Sequence, residues 1–224
     1  MVLVRHGSSV QPTAEAPIDL IDGRSDPPLS DSGRRQAEAV SERLARSRIA
    51  ALFVTSLRRT QQTADPLARR LGLEPTVVPE LREVFLGAWE GQLSTRVARE
   101  VELSRQVFEV GRWDVIPGAE PMEQFSDRVR DGLNRLVNAV GADATAVAVV
   151  HGGVIAEACR QATGSRAFAF LYAENGSLTR LMRPATGRWA LVSFNDTAHL
   201  NSDSAQRHGS LDSDSAQRHG SPPG

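Results

Sequence analysis

The chain has 224 residues, a net charge of −1 and 40% hydrophobic residues, an ordinary globular make-up with room for one full-sized core. Every basic residue is arginine, which excludes a Schiff-base lysine and a lysine-dependent phosphate loop. The balanced charge gives no reason to expect nucleic acid or an anionic membrane surface, and no apolar run approaches the ~20 residues of a membrane span. Cys159 is alone and cannot close an internal disulfide, and no charged-then-apolar leader precedes Val2; both fit a cytoplasmic protein.

Val2-Leu3-Val4 reads as a short buried strand that runs straight into Arg5-His6-Gly7. A histidine just past such a strand lies at the carboxyl edge of a sheet, where open α/β folds bind ligands, and the neighbouring arginine suits an anion. Residues 7–28 are polar and rich in Pro, Asp and Gly, so they read as a loop long enough to fold over that edge. Ser30 is placed to cap a helix whose apolar stripe is Ala37, Val40, Leu44 and Ala45. Ala50 to Thr55 reads as a second buried strand. Thr55 or Ser56 then caps a helix that Gly72 ends near Leu71, and Thr76-Val77-Val78 offers a short third strand.

Residues 80 to 120 are less regular, with Phe85, Trp89, Phe108 and Trp113 spread through them, and Phe85, Trp89 and Trp113 expected as packing of a lid spanning roughly 84–120. An amphipathic helix follows from Pro121 to about Val140. Ala144 to Val150 is the most strand-like run in the chain, and it also ends in His151-Gly152-Gly153 before a helix to Ala162. That helix contains Cys159, expected as a small buried hydrophobe. Ser177 to Met182 and Trp189 to Phe194 alternate like paired strands about a turn at Thr186-Gly187. Strand–helix alternation of this kind predicts an α/β fold, a three-layer α/β/α sandwich with a mostly parallel central sheet. It occupies residues 1–200. From residue 201 to 224 the chain is a polar tail, expected to be disordered, in which Ser-Asp-Ser-Ala-Gln-Arg-His-Gly-Ser occurs twice with a period of 11.

In a parallel sheet the ends of the first, second and Ala144–Val150 strands face one edge. Two histidines, at least two arginines from Leu57-Arg58-Arg59, and a carboxylate from the Glu83–Glu90 segment therefore converge. Those stretches together resemble the histidine phosphatase (phosphoglycerate mutase-like) superfamily, over residues 2 to about 195. Leu3-Val4-Arg5-His6-Gly7 resembles its nucleophile motif, and Leu57-Arg58-Arg59 with Gln62-Thr63-Ala64 its arginine motif. Glu83, ahead of Gly87 and Trp89-Glu90-Gly91, resembles its acid, and His151-Gly152 its second histidine. Gly23 to Ser30, followed by Gly33, Gln36 and Ala37, resembles the segment leading into its first helix.

The resemblance implies a nucleophilic His6 that takes up the phosphoryl group. Glu83 is then the general acid and base, ahead of Glu90, and Arg5, Arg59, His151 and Gly152 bind phosphate. No cofactor and no metal are implied. The family's usual asparagine six residues beyond the nucleophile is replaced by Pro12, so a contact there is absent or falls to Ser8, Ser9 or Gln11. Arg58 reads as a solvated helix residue, and Arg82 and Arg112 as surface charges with a second anion as the sharper alternative.

The short interval from Glu83 to His151 resembles the compact phosphatase branch. The resemblance thus implies a metal-independent phosphomonoesterase acting on a small phosphorylated metabolite, with a homodimer as one possible assembly on analogy alone. Two other functions are mutase-type phosphoryl transfer and a catalytically silent protein that binds phosphorylated ligands.

Overall fold

Strand β1 (Val2–Arg5) lies inside a six-stranded sheet of order β5 (Thr76–Val77), β4 (Ile49–Val54), β6 (Thr145–Val150), β1, β7 (Leu178–Met182) and β8 (Ala190–Asp196). The computed structural model describes residues 1–11, 18–141, 144–184 and 187–200. β4, β5 and β6 run parallel with β1. β7 is antiparallel to β1, and β8 to β7. The strands at the centre are continuous apolar runs because both of their faces are covered.

Alternation along the strands divides the core in two. Val2, Val4, Leu52, Val54, Val147 and Val149 face α1 (Asp31–Leu44) and α2 (Arg58–Leu71). Leu3, Phe53, Ala146, Ala148 and Val150 face the other layer, built from α5 (Met122–Asn138), α6 (Gly152–Thr163) and the segment 84–116. The three-layer α/β/α sandwich expected from the alternation is therefore the fold. Element ends differ from the sequence reading by one or two residues, as helix and strand termini commonly do.

Three differences have physical causes. The stretch read as an uninterrupted loop holds a small hairpin, β2 (Leu20–Ile21) against β3 (Arg24–Ser25). Its turn is Asp22-Gly23, both at positive φ (50° and 75°), the pair that a tight two-residue connection favours. Neither Thr55 nor Ser56 caps α2. The helix begins at Arg58, whose amide instead reaches Asp26 Oδ1 at 2.8 Å, a cap supplied from across the fold. Finally, the segment thought irregular contains α3 (Leu93–Arg99) and α4 (Val101–Val110), with Trp89 and Trp113 buried beneath them. Residue 186 of the expected turn at Thr186-Gly187, Pro12, and the repeated tail lie outside the described residues.

Ser30 caps α1 as expected, accepting from the Gly33 amide at 3.1 Å. That first turn lies hard against the loop after β1: a Cβ on Gly33 would sit 2.0 Å from the Ser8 carbonyl oxygen, and one on Gly7 would sit 2.5 Å from that of Gly33. Backbone meets backbone there, so neither side can yield. Gly33→Ala should cost ~1–3 kcal/mol of stability; an unchanged urea midpoint would show that the contact is not needed.

Candidate active site

Because β4, β6 and β1 are adjacent and parallel, their carboxyl ends bring residues 5–8, 55–59 and 151–153 to one edge. The His6 amide donates to the Val150 carbonyl, and Asn175 Nδ2 donates to that of His6 at 2.8 Å. The His6 side chain is 8% exposed. Its Nδ1 lies 2.8 Å from the carbonyl oxygen of Gly7, which can only accept, so Nδ1 carries the proton and Nε2 keeps its lone pair. Arg59 Nε donates to that Nε2 at 3.3 Å. Burial holds the His6 imidazole well below its ordinary range, and the Arg59 and Arg5 guanidinium groups add to this against the opposing pull of the Gly7 carbonyl.

Arg59 is placed by α2. It donates to the Ser25 carbonyl at 2.9 Å and lies 3.9 Å from Asp26 Oδ1. Thr63, one turn along, accepts from the Gly7 amide at 3.0 Å and donates to the Arg59 carbonyl at 2.7 Å. One hydroxyl therefore ties the backbone of the His6–Gly7 loop to the arginine beside it. Arg5 donates through Nη1 to the Ala173 carbonyl and lies against Gly152, whose Cβ, if present, would be 3.4 Å from its Nε. That Nε is buried without a partner among the described residues.

His151, fully buried at the start of α6, packs edge-on to His6 with ring centroids 5.2 Å apart. Its Nε2 lies 3.0 Å from Thr55 Oγ1, while its Nδ1 is buried without a partner among the described residues. The Thr60 hydroxyl donates to the Leu57 carbonyl at 2.8 Å and accepts from the Thr55 amide at 3.1 Å. The Thr55 hydroxyl also lies 3.0 Å from that of Thr60, so its one proton faces two acceptors, Thr60 Oγ1 and His151 Nε2. Burial, then Arg59 and His6, hold this imidazole also well below its ordinary range.

Glu83 follows the 3₁₀ turn Pro79–Leu81 and lies over the amino end of α6. Oε1 accepts from its neighbour Val84 at 3.0 Å, and Oε2 from the Gly153 amide at 3.1 Å. Each oxygen keeps a second lone pair for other partners. A Cβ on Gly153 would come within 2.6 Å of Oε1, so a side chain there would displace the carboxylate. Glu90, the competing carboxylate, is instead used as a clasp: it accepts from Ser25 N, Ser25 Oγ and Leu86 N at 2.9, 3.1 and 3.0 Å.

The remaining sequence candidates separate. Ser8 lines the adjoining cavity, but its amide and carbonyl are spent on Gln36 and Ser30. Gln11 is exposed and is not among the residues lining that cavity. Arg58, read as a solvated residue, is half-buried and pinned to Asp26 and Asp19, because Asp26 is buried and needs counter-charge. Arg82 pairs with Asp22 at 2.9 Å, and Arg112 with Asp114 and Glu123. Cys159 is fully buried and its thiol is pushed up to about 12 by burial, as a structural cysteine should be.

Sequence reasoning missed Thr55, Thr63, Asn175 and Arg128. Arg128, on α5, grips Glu120 at 2.6 and 2.8 Å. It also donates to the carbonyls of Glu80, Arg82 and Glu83 at 2.7, 2.6 and 3.0 Å, fixing the turn that presents Glu83. Only Thr63 had a legible signal, since it falls inside the arginine motif.

No three His, Cys, Asp or Glu among the described residues are grouped so as to hold a metal ion, and no described helix is long and apolar enough to cross a membrane. Residues 1–197 match the family model described as the histidine phosphatase superfamily (branch 1). The chain is 32% identical over 209 residues to a probable phosphoglycerate mutase GpmB of Yersinia enterocolitica, covering 89% of this chain and 94% of that one. A mycobacterial glucosyl-3-phosphoglycerate phosphatase, solved with inorganic phosphate, superposes with a TM-score of 0.71 at 27% identity, over 89% of this chain and 98% of that one. The α-ribazole phosphatase of Shigella flexneri shares the fold with a TM-score of 0.69 at 22% identity, over 87% and 95% of the two chains. The chain is an enzyme of the histidine phosphatase superfamily, branch 1.

Proposed function

We propose that the protein is a metal-independent phosphomonoesterase that hydrolyses a small phosphorylated metabolite through a phosphohistidine on His6. The observation that carries this reading is the 2.8 Å contact of His6 Nδ1 with the Gly7 carbonyl, which leaves a neutral Nε2 lone pair among Arg5, Arg59 and His151. Nε2 attacks phosphorus, and the bond from phosphorus to the ester oxygen breaks. The leaving alkoxide takes a proton from Glu83. Glu83 then accepts a proton from water as the water oxygen attacks phosphorus, the N–P bond breaks, and phosphate leaves with His6 restored.

The guanidinium forks of Arg5 and Arg59 and the Nδ1–H of His151 supply donors to the three phosphoryl oxygens in flight. The unpartnered Arg5 Nε and His151 Nδ1 support this, because buried polar groups left unpaired are costly unless a ligand answers them, and a proton on Nδ1 makes His151 a donor here. Arg59, which contacts His6 Nε2 in the ligand-free site, exchanges that contact for a phosphoryl oxygen. The names of the GpmB relatives favour a second reading, transfer of the same phosphoryl group back to a bound phosphoglycerate. The two share every step up to phosphohistidine and part at the acceptor.

Phosphate release from a phosphomonoester panel should persist in excess chelator and fall on the order of 10⁶-fold in His6→Ala, if His6 behaves like other covalent nucleophiles. Release unaltered in that variant contradicts the mechanism. Arg59→Ala should lose ~10²–10³-fold in kcat.

Thr55 is proposed as a positioning residue. Thr55→Val should lower kcat/KM about tenfold, the worth of one hydrogen bond, and Thr55→Ser should restore it. A full-rate valine variant would remove Thr55 from the account.

Both buried imidazoles have lowered pKa values, so the folded protein binds fewer protons than the unfolded chain once pH drops below about 6.5. Their stabilising contribution is complete above that pH and is lost as pH falls toward the folded values. Denaturation from pH 7.5 to 5 should show this loss reduced in a His6→Gln, His151→Gln double variant; equal slopes would count against it.

A further inference from the structure

Resting on the phosphatase reading, we infer that the substrate is the phosphomonoester of a bulky, uncharged, largely apolar alcohol rather than a phosphorylated acid. Arg5, Glu83 and Gly153 form one end of a cavity of about 640 Å³, the size that takes a whole small-molecule ligand. The larger part of its wall is apolar, formed by Leu86 together with Leu93 and Val97 of α3, Phe108 of α4 and Leu171, while Ser8, Ser32, Gln36 and Asn175 are its uncharged polar part. Leu93 and Phe108 are 38% and 40% exposed, a contact area that an apolar alcohol would cover.

A phosphoglycerate brings a carboxylate as well as the phosphoryl group, and that carboxylate needs its own cation. Among the described residues lining the cavity the only cation is Arg5, which the phosphoryl group engages, and the other charged residues there are Glu83 and Glu174. The nearby arginines are committed to carboxylates: Arg82 to Asp22, Arg96 to Glu100, and Arg112 to Asp114 and Glu123. Arg24 donates to the Glu83 carbonyl, stacks on Phe85 and faces Glu120. A second anion in this cavity would be desolvated, unpaired and repelled.

The test compares three primary-alcohol esters on the full chain, so that leaving-group basicity differs little: 2-phenylethyl phosphate, glycerol 3-phosphate and 3-phosphoglycerate. The activated ester 4-nitrophenyl phosphate serves as a control for competence. The expected order of kcat/KM is phenylethyl over glycerol by at least ~10-fold, and phenylethyl over phosphoglycerate by at least ~10²-fold. Phe108→Ala should narrow the first ratio, and Leu93→Arg, which adds the missing cation at the wall, should narrow the second. Release from 3-phosphoglycerate as fast as from the phenylethyl ester, or no preference between phenylethyl and glycerol, overturns the assignment while leaving the phosphatase reading in place. No release from any ester, the control included, overturns that reading and the assignment with it.

Discussion

A histidine has two ring nitrogens, and a phosphoryl acceptor needs one of them bare, neutral and aimed at phosphorus. In the mechanism proposed for His6, the bond from its Nδ1 to the carbonyl of the next residue, Gly7, makes that choice. The carbonyl can serve only because Gly7 is itself held, by Thr63 through its amide and by close backbone contact with Gly33. Burial then keeps the ring uncharged in the presence of two guanidinium groups. Remove the Gly7 contact and the tautomer is free to switch, after which Arg5, Arg59 and His151 would surround a nitrogen that cannot attack.

The fold supports this constraint by concentrating separate parts of the chain on one short edge. Adjacent parallel strands deliver His6, the Thr55–Arg59 corner and His151, and the turn held by Arg128 delivers Glu83 above Gly153. The buried cations are expensive to desolvate, and the structure answers them with Asp26 and Glu83, while Glu90 lies within reach of Arg59's field. Asp26 does two jobs at once, since it also caps α2 through the Arg58 amide. Electrostatic balance and helix geometry are thus settled by one side chain from the loop after β1.

Much of this was legible in the sequence because it depends on local pattern. Val2-Leu3-Val4 and Ala144 to Val150 are near-continuous apolar runs that read as buried strands, and they lead into His-Gly, the first through Arg5 and the second directly. What escaped depends on contacts between distant segments. Thr55 looked like a helix cap, but its hydroxyl lies against His151 and Thr60, and Asp26 caps the helix from across the fold. Arg128 sits in an unremarkable amphipathic helix, and nothing in its neighbours announces that three carbonyls and Glu120 converge on it. The Asp22-Gly23 hairpin had a readable turn signal, yet its strands of two residues each are too short to show alternation. The fate of Arg82 and Arg112 also required coordinates, because their partners are acidic residues elsewhere in the chain.

The phosphoryl–nitrogen bond is the step on which the proposed catalysis depends. The most direct measurement is an alkaline quench of the enzyme during turnover of ³²P-labelled ester, followed by mapping of the label. The prediction is an alkali-stable, acid-labile phosphoryl group on His6 that forms and decays at rates compatible with turnover. Label on another residue, or turnover at full rate with no covalent label at any quench time, would contradict it.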